Sequence, residues 1–383
     1  MIVHVAHTLA YVFGVLALCG VGFLLLTIFS IVRWKQVAHP PTTFTPSISI
    51  LKSLRGTDRG MYDAFRSHCL QDYSHFELLF GISDPSDPAI AEVERLRQEF
   101  PDHRITLIRC PAQLGANGKV STLAQMLPHA SGEFILINDS DITVEPDYLS
   151  KVAAHFADEH TGMVTTLYRA EPGDTLASRI EALTIATDFA GGVLSARIVE
   201  GGLHFALGST LAIRRTVLDK IGGLAPLADY LADDYELGAR TSRAGYRVAM
   251  ADTTVETHLP SYGFGGMLEH QVRWARTIRD QRLGGYIGLI FTFALPWALL
   301  ACAFSGAAPW SVLLLAIVAV LRMGEAWLLC DTVLRDRRML RDLWLVPVRD
   351  LFGVYIWFAS FMGDTVTWRG EKFRVTNGKL SRI

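Results

Sequence analysis

The sequence has no glycine-rich phosphate loop and no strong excess of charge of either sign. No G-x-G-x-x-G follows the first predicted strand, and no G-x-x-x-x-G-K-[ST] is present, which argues against dinucleotide-binding and P-loop folds. The formal net charge is −2, so composition gives no reason to expect a nucleic-acid partner. Only 19% of the residues are charged, below the usual quarter, and half are hydrophobic.

The sequence has few cysteines, and their spacing is not that of a disulfide-bonded domain. The five cysteines are Cys19, Cys69, Cys110, Cys302 and Cys330. Three of them lie in predicted membrane segments, and the spacings resemble neither a disulfide scaffold nor a zinc cluster. Reduced thiols of this kind fit a cytoplasmic domain.

Long apolar runs lie near the two ends of the chain, and the first is Leu9–Val32. This run of 24 residues has no formal charge. It is long enough to cross a hydrocarbon layer of ~30 Å with some tilt. A cleaved signal peptide is the alternative, but its apolar core would be shorter and would end in small residues. Because Arg33-Trp34-Lys35 follows instead, we predict an uncleaved membrane helix in residues 1–35.

A second apolar block follows Arg282, and we predict a membrane region over residues 283–383. Gly284–Phe304 is a spanning candidate in which Pro296 introduces a kink. Leu343–Met362 is apolar but broken by polar residues, so it either spans the membrane or lies re-entrant or at the interface.

Trp310–Cys330 is the remaining spanning candidate, and it contains two charged residues. Arg322 and Glu325 are three residues apart, which places them on one helix face where they can pair. Because unpaired charges are costly at that depth, we expect both to face other helices.

Basic residues orient the predicted membrane protein. Arg33 and Lys35 follow the first helix, and the loop 335–342 reads RDRRMLRD. Since cytoplasmic loops are enriched in Lys and Arg, we expect a central domain over residues 45–282 on the cytoplasmic side.

The central region alternates short apolar runs with helical patterns. The predicted strands are 47–52, 76–82, 105–109, 134–138 and 162–166. The predicted helices are 60–70, 87–99, 119–127 and 146–157. This alternation predicts an α/β domain with a mostly parallel sheet, in which ligands bind beyond the carboxyl ends of the strands.

Carboxylates follow two of these predicted strands. Asp84 follows the strand 76–82, and Asp139 and Asp141 follow the strand 134–138 as a D-x-D. Carboxylates gathered at a strand end suit Mg²⁺ or Mn²⁺, which bind protein oxygens together with substrate phosphates. The alternative is a turn in which an Asp side chain bonds its own backbone.

A third acidic position begins a helical pattern in YLADDYELG. Asp233 and Asp234 either complement the helix dipole or supply a general base, which must come within about 3 Å of the proton it removes. His258 in ETHLP is either a further metal ligand or a structural histidine with satisfied hydrogen bonds.

The segment HQVRWART, residues 270–277, places Arg273 beside Trp274. One interpretation is an amphipathic helix whose Arg and Trp anchor it at the membrane interface. The other is an Arg that holds a diphosphate leaving group and a Trp that shapes the acceptor pocket.

Taken in order, these residues resemble a known pattern. Asp84, the D-x-D, Asp234 and x-x-Arg273-Trp274 are similar to the D, DxD, D, (Q/R)xxRW signature of membrane-bound GT-A glycosyltransferases of families 2 and 21. The closer resemblance is to ceramide glucosyltransferases and to the bacterial hopanoid-biosynthesis glycosyltransferases. It covers roughly residues 45–375 and is carried by SISILKSLRGTD, DYSHFELLFGISDPSDPAI, NDSDITVEPDYL, LDKIGGLAPLADYLADDYELG and GDTVTWRG.

The resemblance implies donor and metal roles. The donor would be a UDP-sugar carrying glucose or N-acetylglucosamine, transferred with inversion at the anomeric carbon. Asp84 would contact the uridine and Asp139 the ribose-phosphate. Asp139 and Asp141 would hold Mg²⁺ or Mn²⁺, and Asp234 would be the catalytic base.

It also implies an acceptor side and a location. Arg273 would contact the donor diphosphate, and Trp274 would line the acceptor side together with His270, which stands where the family usually has Gln or Arg. The acceptor would be a membrane lipid hydroxyl, of a hopanoid or a ceramide. The expected location is a bacterial inner membrane, with several passes and a cytoplasmic catalytic domain.

Two rival functions stay open at this point. A processive polysaccharide synthase would need enough spanning helices to line an export channel, and three or four are few. A non-catalytic membrane binding or transport protein would have no need to keep every acidic position.

Overall fold

The computed structural model describes residues 2–37 and 39–383, which form two compact units. The helical unit comprises residues 2–37, 172–198 and 261–377. The sheet unit comprises residues 39–171, 199–260 and 378–383. The central range 45–282 that sequence treats as one domain therefore contributes to both units.

The sheet unit is built on one seven-stranded sheet. Its strands are β1 (Ile48–Leu54), β2 (Phe76–Ile82), β3 (Ile105–Arg109), β4 (Phe134–Ile137), β5 (Thr161–Glu171), β6 (Leu211–Arg214) and β7 (Arg247–His258). The strand order is β3-β2-β1-β4-β6-β5-β7. β6 runs antiparallel to both neighbours, and the other paired strands are parallel. The predicted mostly parallel α/β domain is confirmed.

Helices cover this sheet, as expected for a parallel sheet buried on both faces. The α-helices of the unit are Met61–Cys69, Ala89–Glu99, Gly118–Met126, Tyr148–Ala154, Arg215–Lys220 and Asp233–Arg243. Short 3₁₀ turns lie at Leu127–His129, His155–Ala157 and Ala225–Leu227. The last strand, Lys379–Arg382, follows in the same unit, where the Leu380 amide donates to the Asp229 carbonyl at 2.7 Å.

Burial and register explain where the polar residues emerge. All four residues of β4 are buried, and Ile48 pairs with Phe134 while Leu51 pairs with Ile137. The apolar run therefore lies in the centre of the sheet, and the first residue that can turn away is Asn138. Because β2, β1 and β4 are adjacent and parallel, their carboxyl ends meet at one edge.

The helical unit holds the apolar segments. Its helices are Ile2–Lys35, Leu176–Leu183, Ala190–Val199, Phe264–Gln281, Leu283–Gly288, Ala294–Phe304, Pro309–Leu328 and Val346–Ser360. Wider π-helical turns lie at Thr184–Phe189 and Leu329–Val333, and 3₁₀ turns at Leu289–Thr292 and Met339–Leu345. An antiparallel hairpin of Thr365–Trp368 and Glu371–Thr376 follows.

Four helices among the described residues are long and apolar enough to cross a membrane. They are His4–Lys35, Leu176–Val199, Pro309–Val333 and Met339–Ser360. The pair Leu283–Thr292 and Ala294–Phe304 passes the same test as one span but is bent by 49°. The bend lies at Phe293, three residues before the Pro296 at which a kink is predicted. Leu176–Val199 is a candidate that the sequence analysis does not include.

Small residues let the apolar helices approach closely. A Cβ atom on Gly20 would lie 2.5 Å from the Ala294 Cα, so the first helix can pack against Ala294–Phe304 only with glycine there. Ala17, Leu24, Ala298 and Val318 are buried in the same cluster.

Candidate active site

The chain turns at the carboxyl end of β4, and buried polar groups hold the turn. The Asn138 side-chain amide donates to the Ser209 carbonyl at 2.6 Å. Lys52 is fully buried in β1 and donates from Nζ to the Asp139 carbonyl at 2.9 Å. Burial lowers the pKa of Lys52 to about 7, against the opposing effect of the Asp141 and Asp139 charges. These contacts fix the backbone from which the D-x-D side chains project.

Asp141 lies against the end of β7. Its Oδ2 accepts hydrogen bonds from the Thr257 hydroxyl and, at 3.3 Å, from the His258 amide. Burial, and next the nearby charge of Asp139, raise the pKa of Asp141 above its usual range. Two carboxylates close enough to influence one another in this way are what a shared cation would require.

Lys119 joins the D-x-D to the third acidic position. Its Nζ lies 2.6 Å from Asp139 Oδ1 and 3.8 Å from Asp233 Oδ2. Burial acts to lower the pKa of Lys119, but the charges of Asp139 and Asp233 outweigh it and hold that pKa above its usual value. Residues that are nearly a hundred positions apart in sequence therefore meet around one ammonium group.

Lys119 is a site residue that sequence reasoning missed. It lies in the first turn of Gly118–Met126, which Asn117 caps by accepting from the Val120 amide at 3.1 Å. The Asn117 amide also donates to the Tyr230 carbonyl at 2.8 Å, which ties this turn to the segment before Asp233. The Asn cap marks the start of a helix in the sequence, but nothing marks the lysine as facing carboxylates.

Asp233 and Asp234 begin the helix Asp233–Arg243 and have different surroundings. Asp233 faces Lys119 and accepts from the Asn117 amide at 3.4 Å. Asp234 accepts from the Tyr235 amide at 2.8 Å and has no basic partner within ion-pair distance among residues 2–37 and 39–383. Burial, then the charge of Asp233, raise the pKa of Asp234 to about 6. A carboxyl with that pKa is suited to take up a proton near neutral pH.

The donor set at this edge suits a divalent cation. Asp139, Asp233 and Asp234 lie around Lys119, and Asp141 lies beside Asp139, where the charges of both act on Lys52. Hard oxygen ligands with excess negative charge are what Mg²⁺ and Mn²⁺ prefer. The residues present therefore fit the divalent metal that the sequence resemblance implies.

Asp84 lies at the same edge of the sheet but apart from that group. It follows β2, which is separated from β4 by β1, and it is exposed. Its Oδ1 accepts from the Ser86 hydroxyl at 2.6 Å and the Ser86 amide at 2.8 Å, and these bonds lower the pKa of Asp84. The neighbouring Asp87 is buried and accepts from the Ala89 amide at 2.9 Å, at the start of the helix Ala89–Glu99.

A second set of possible ligands lies at the ends of β5 and β7. Ligand atoms of Glu171, Glu256 and His258 lie within 4.8 Å of one another. Each already has a protein partner: Arg59 at 3.2 Å from Glu171, Arg169 at 2.7 Å from Glu256, and the Thr143 hydroxyl at 3.0 Å from His258. This arrangement is the one expected of a structural histidine.

The remaining predicted site residues lie in the helical unit, on the helix Phe264–Gln281. Trp274 lies with its ring centroid 4.9 Å from that of His270 and 6.3 Å from that of Phe189. Burial and the charge of Glu181 raise the pKa of the Tyr262 phenol. Arg273 lies close enough for its positive charge to oppose that rise. The structure therefore brings His270, Arg273 and Trp274 together on one helix.

Glu181 is a second residue that sequence reasoning missed. It is fully buried in Leu176–Leu183 and accepts hydrogen bonds from the Tyr262 hydroxyl, from His270 Nδ1 and, at 2.9 Å, from the Gln271 amide. A buried carboxylate with three donors is well satisfied. Its partners are 81 to 90 positions away, so sequence spacing carries no signal for it.

The predicted pairing of Arg322 with Glu325 is confirmed, and it belongs to a larger buried network. Arg322 also bonds Asp350 and Asp188, both at 2.8 Å. Arg349 bonds Asp350 at 3.1 Å and also pairs with Asp188. Three carboxylates and two guanidinium groups thus satisfy each other among apolar helices, as charges at that depth must.

The family model for glycosyl transferase family 21 matches residues 12–381, nearly the whole chain. The chain belongs to that family. It is 26% identical over 248 residues to ceramide glucosyltransferase 1 of Caenorhabditis elegans, covering 62% of this chain and 53% of that protein. It is 22% identical over 208 residues to a β-monoglucosyldiacylglycerol synthase of Synechocystis, covering 54% of this chain and 42% of that protein. The family 21 chain thus spans about half the length of these curated relatives.

A solved structure supports the fold. The mannosyltransferase PcManGT of Pyrobaculum calidifontis, determined with GDP-mannose and Mn²⁺, superposes with a TM-score of 0.52 at 20% identity. The match covers 91% of the family 21 chain and 99% of the mannosyltransferase. The GT-A fold and the resemblance to family 21 and to ceramide glucosyltransferases are confirmed.

Proposed function

We propose that the protein transfers a sugar from a UDP-sugar to the hydroxyl of a membrane lipid. The observation that carries this proposal is the group of Asp139, Asp233 and Asp234 around Lys119, with Asp141 beside Asp139, at the carboxyl edge of a GT-A sheet in a chain with apolar helices. The relatives named for ceramide and diacylglycerol glucosylation support a lipid acceptor. The sugar is glucose or N-acetylglucosamine, and the acceptor a hopanoid or a ceramide.

Each predicted site residue has a role in this proposal. Asp84 binds the uridine, and Asp139 and Asp141 hold a divalent ion, Mg²⁺ or Mn²⁺, which when bound offsets the charge of the donor diphosphate. Arg273 contacts the leaving diphosphate, and Trp274 and His270 face the acceptor. The membrane helices serve to bring the site to the lipid, since an apolar alcohol does not leave the bilayer readily.

The proposed reaction is a single displacement with inversion. Asp234 removes the proton from the lipid hydroxyl while the hydroxyl oxygen bonds to the anomeric carbon and the bond to the UDP oxygen breaks. The raised pKa of Asp234, about 6, supports this assignment, because the carboxylate is free at neutral pH yet basic enough to accept a proton. The proposed location is a bacterial inner membrane with the sheet unit on the cytoplasmic side, as Arg33 and Lys35 favour.

The test is transfer of labelled sugar in membranes that contain the protein. Labelled UDP-glucose and UDP-N-acetylglucosamine are supplied with lipid extract, and products are identified by mass. We expect a lipid bearing one sugar, whereas a polymer would favour the processive synthase and no transfer would favour the binding protein.

Asp234→Asn should lower kcat by roughly 10²–10⁴-fold while UDP-sugar binding survives. Turnover like that of wild type in this variant would remove Asp234 from the role.

A further inference from the structure

The Glu181–His270 pair in the helical unit has an orientation that points to a ligand. Glu181 is fully buried, and its Oε1 accepts from His270 Nδ1. A nitrogen that faces a carboxylate must carry the hydrogen, so the tautomer and the ring orientation of His270 are fixed. The opposite nitrogen, Nε2, makes no hydrogen bond to the described residues 2–37 and 39–383. The His270 side chain is 27% exposed, so this nitrogen can meet a ligand.

His270 and Gln271, the first two residues of the segment 270–277, use their side chains differently. Gln271 is buried and donates to Glu181 at 2.9 Å, so its amide is engaged inside the unit. His270 uses one nitrogen for the same carboxylate and keeps the other. Tyr262 supplies a third donor to Glu181. The carboxylate is thus held from three sides and in turn holds the imidazole.

The immediate contacts of His270 favour a lipid hydroxyl over the diphosphate, which the proposed function assigns to Arg273 on the next turn. The Trp274 ring centroid lies 4.9 Å from that of His270, and Phe189 packs on the same indole. Behind the imidazole lies the full carboxylate of Glu181, so the pair carries no net positive charge to attract a phosphate. With the hydrogen on Nδ1, Nε2 is left as an acceptor, and a hydroxyl can donate to it.

We propose that Glu181 is a positioning residue that holds His270 so that Nε2 hydrogen-bonds a hydroxyl of the lipid head, beside the aromatic wall of Trp274 and Phe189. This inference rests on the proposed transfer to a lipid, and it names how the acceptor is recognised. It assigns a role to a residue outside the signature and explains how a histidine serves at position 270.

The test separates acceptor binding from donor binding. KM values for the lipid acceptor and for the UDP-sugar are measured for wild type, His270→Ala, Glu181→Gln and the double variant. Loss of one neutral hydrogen bond should raise the acceptor KM by roughly two- to tenfold, with the donor KM unchanged. The double variant should be no worse than His270→Ala, since Glu181 acts through that side chain. His270→Gln should retain more acceptor affinity than His270→Ala.

Two matched probes sharpen the result. Gln271→Met removes another donor to Glu181 on the same helix and should leave the acceptor KM within about twofold. Octadecane-1,2-diol should compete with the acceptor better than octadecan-1-ol in wild type, and His270→Ala should abolish the difference.

Several outcomes would overturn the proposal. A rise in the donor KM in place of the acceptor KM would assign His270 to the diphosphate. Equal loss of both, with a lower melting temperature for Glu181→Gln and Gln271→Met alike, would make Glu181 merely structural. If wild type transfers sugar but His270→Ala keeps the acceptor KM, this inference alone fails. If wild type transfers no sugar to any lipid, the proposed function fails and the inference with it.

Discussion

Each of the two units of the molecule contains a cluster of charged side chains, and the two clusters differ in their balance of positive and negative charge. In the helical unit, Arg322 and Arg349 face Glu325, Asp188 and Asp350, and every carboxylate bonds a guanidinium. In the sheet unit, Asp139, Asp233 and Asp234 lie around Lys119 and Asp141 lies beside Asp139, and in the part of the chain that is described Asp141 and Asp234 have no basic partner within ion-pair distance. The cluster in the helical unit is called the closed cluster, because each of its carboxylates has a guanidinium partner. The cluster of Asp139, Asp141, Asp233 and Asp234 in the sheet unit is called the open cluster, because it has too few basic partners.

This difference separates a structural role from a ligand-binding one. Charges that satisfy each other need nothing further, and they keep apolar helices in one arrangement, since breaking such a pair strands a buried charge. Burial and neighbouring charges raise the pKa values of Asp141, Asp233 and Asp234, so the ionised carboxylates destabilise the folded chain. Their retention at a strand end is explained if a cation and a substrate complete the set. Acidic residues occur in both clusters, so only the basic residues that contact them distinguish one cluster from the other.

The largest effect should come from removing the ion that the open cluster is proposed to hold. With a divalent ion supplying several kcal/mol of charge stabilisation, chelation should lower sugar transfer by roughly 10³-fold, and added Mn²⁺ or Mg²⁺ should restore it. The measurement is UDP release with and without EDTA. Asp141→Asn should require more metal for half-maximal rate, whereas Asp219→Asn, an exposed control, should not. Full activity in EDTA would show that the open cluster is completed by something other than a metal.

The open cluster could be anticipated from sequence only in part. Asp139 and Asp141 follow an unbroken apolar run, and such a run must end where β4 leaves the sheet, so their place was predictable. Lys119 was not, because the fold alone brings it to Asp139. β6 was not predicted either, since four residues that run antiparallel between β4 and β5 give no periodic pattern.

The closed cluster shows the same limit. Arg322 and Glu325 are neighbours on one helix, so spacing predicts their pairing. Asp188 lies 134 positions from Arg322, and Asp350 lies 28 positions away, so neither is visible without the packing of helices. Asp188 also comes from Leu176–Val199, a segment not recognised as apolar enough to span.

The second largest effect concerns the closed cluster. Arg322→Met removes the guanidinium that three carboxylates share, and leaving Glu325 and Asp350 buried without it should destabilise the protein by about 3–5 kcal/mol. Thermal unfolding in detergent measures the loss. Arg337→Met is the matched control, because Arg337 is 87% exposed and lies 3.5 Å from Asp331. An equal shift in both variants would show that burial of the network contributes nothing.

A third effect follows from the raised pKa of Asp234. Because the proposed base must be ionised to act, kcat/KM should be level above pH 7 and fall about tenfold per pH unit well below 6. The charge of Asp233 contributes to that pKa, so Asp233→Asn should move the acid limb to lower pH. The pH profile of kcat/KM for the two proteins tests this. An acid limb at the same pH in both would mean that another group titrates.

The smallest effect is expected for an exposed ion pair that belongs to neither cluster. It gives the stability contribution with which those of the clusters can be compared. Lys151, in the helix Tyr148–Ala154, lies 2.8 Å from Asp147, which precedes that helix, and the side chains are 30% and 53% exposed. Since water screens such a pair, Lys151→Gln should cost only about 0.3–0.5 kcal/mol, and less in high salt. Thermal unfolding at low and high ionic strength measures it. A loss as large as that of Arg322→Met would mean that proximity alone, without burial, decides what an ion pair contributes in this protein.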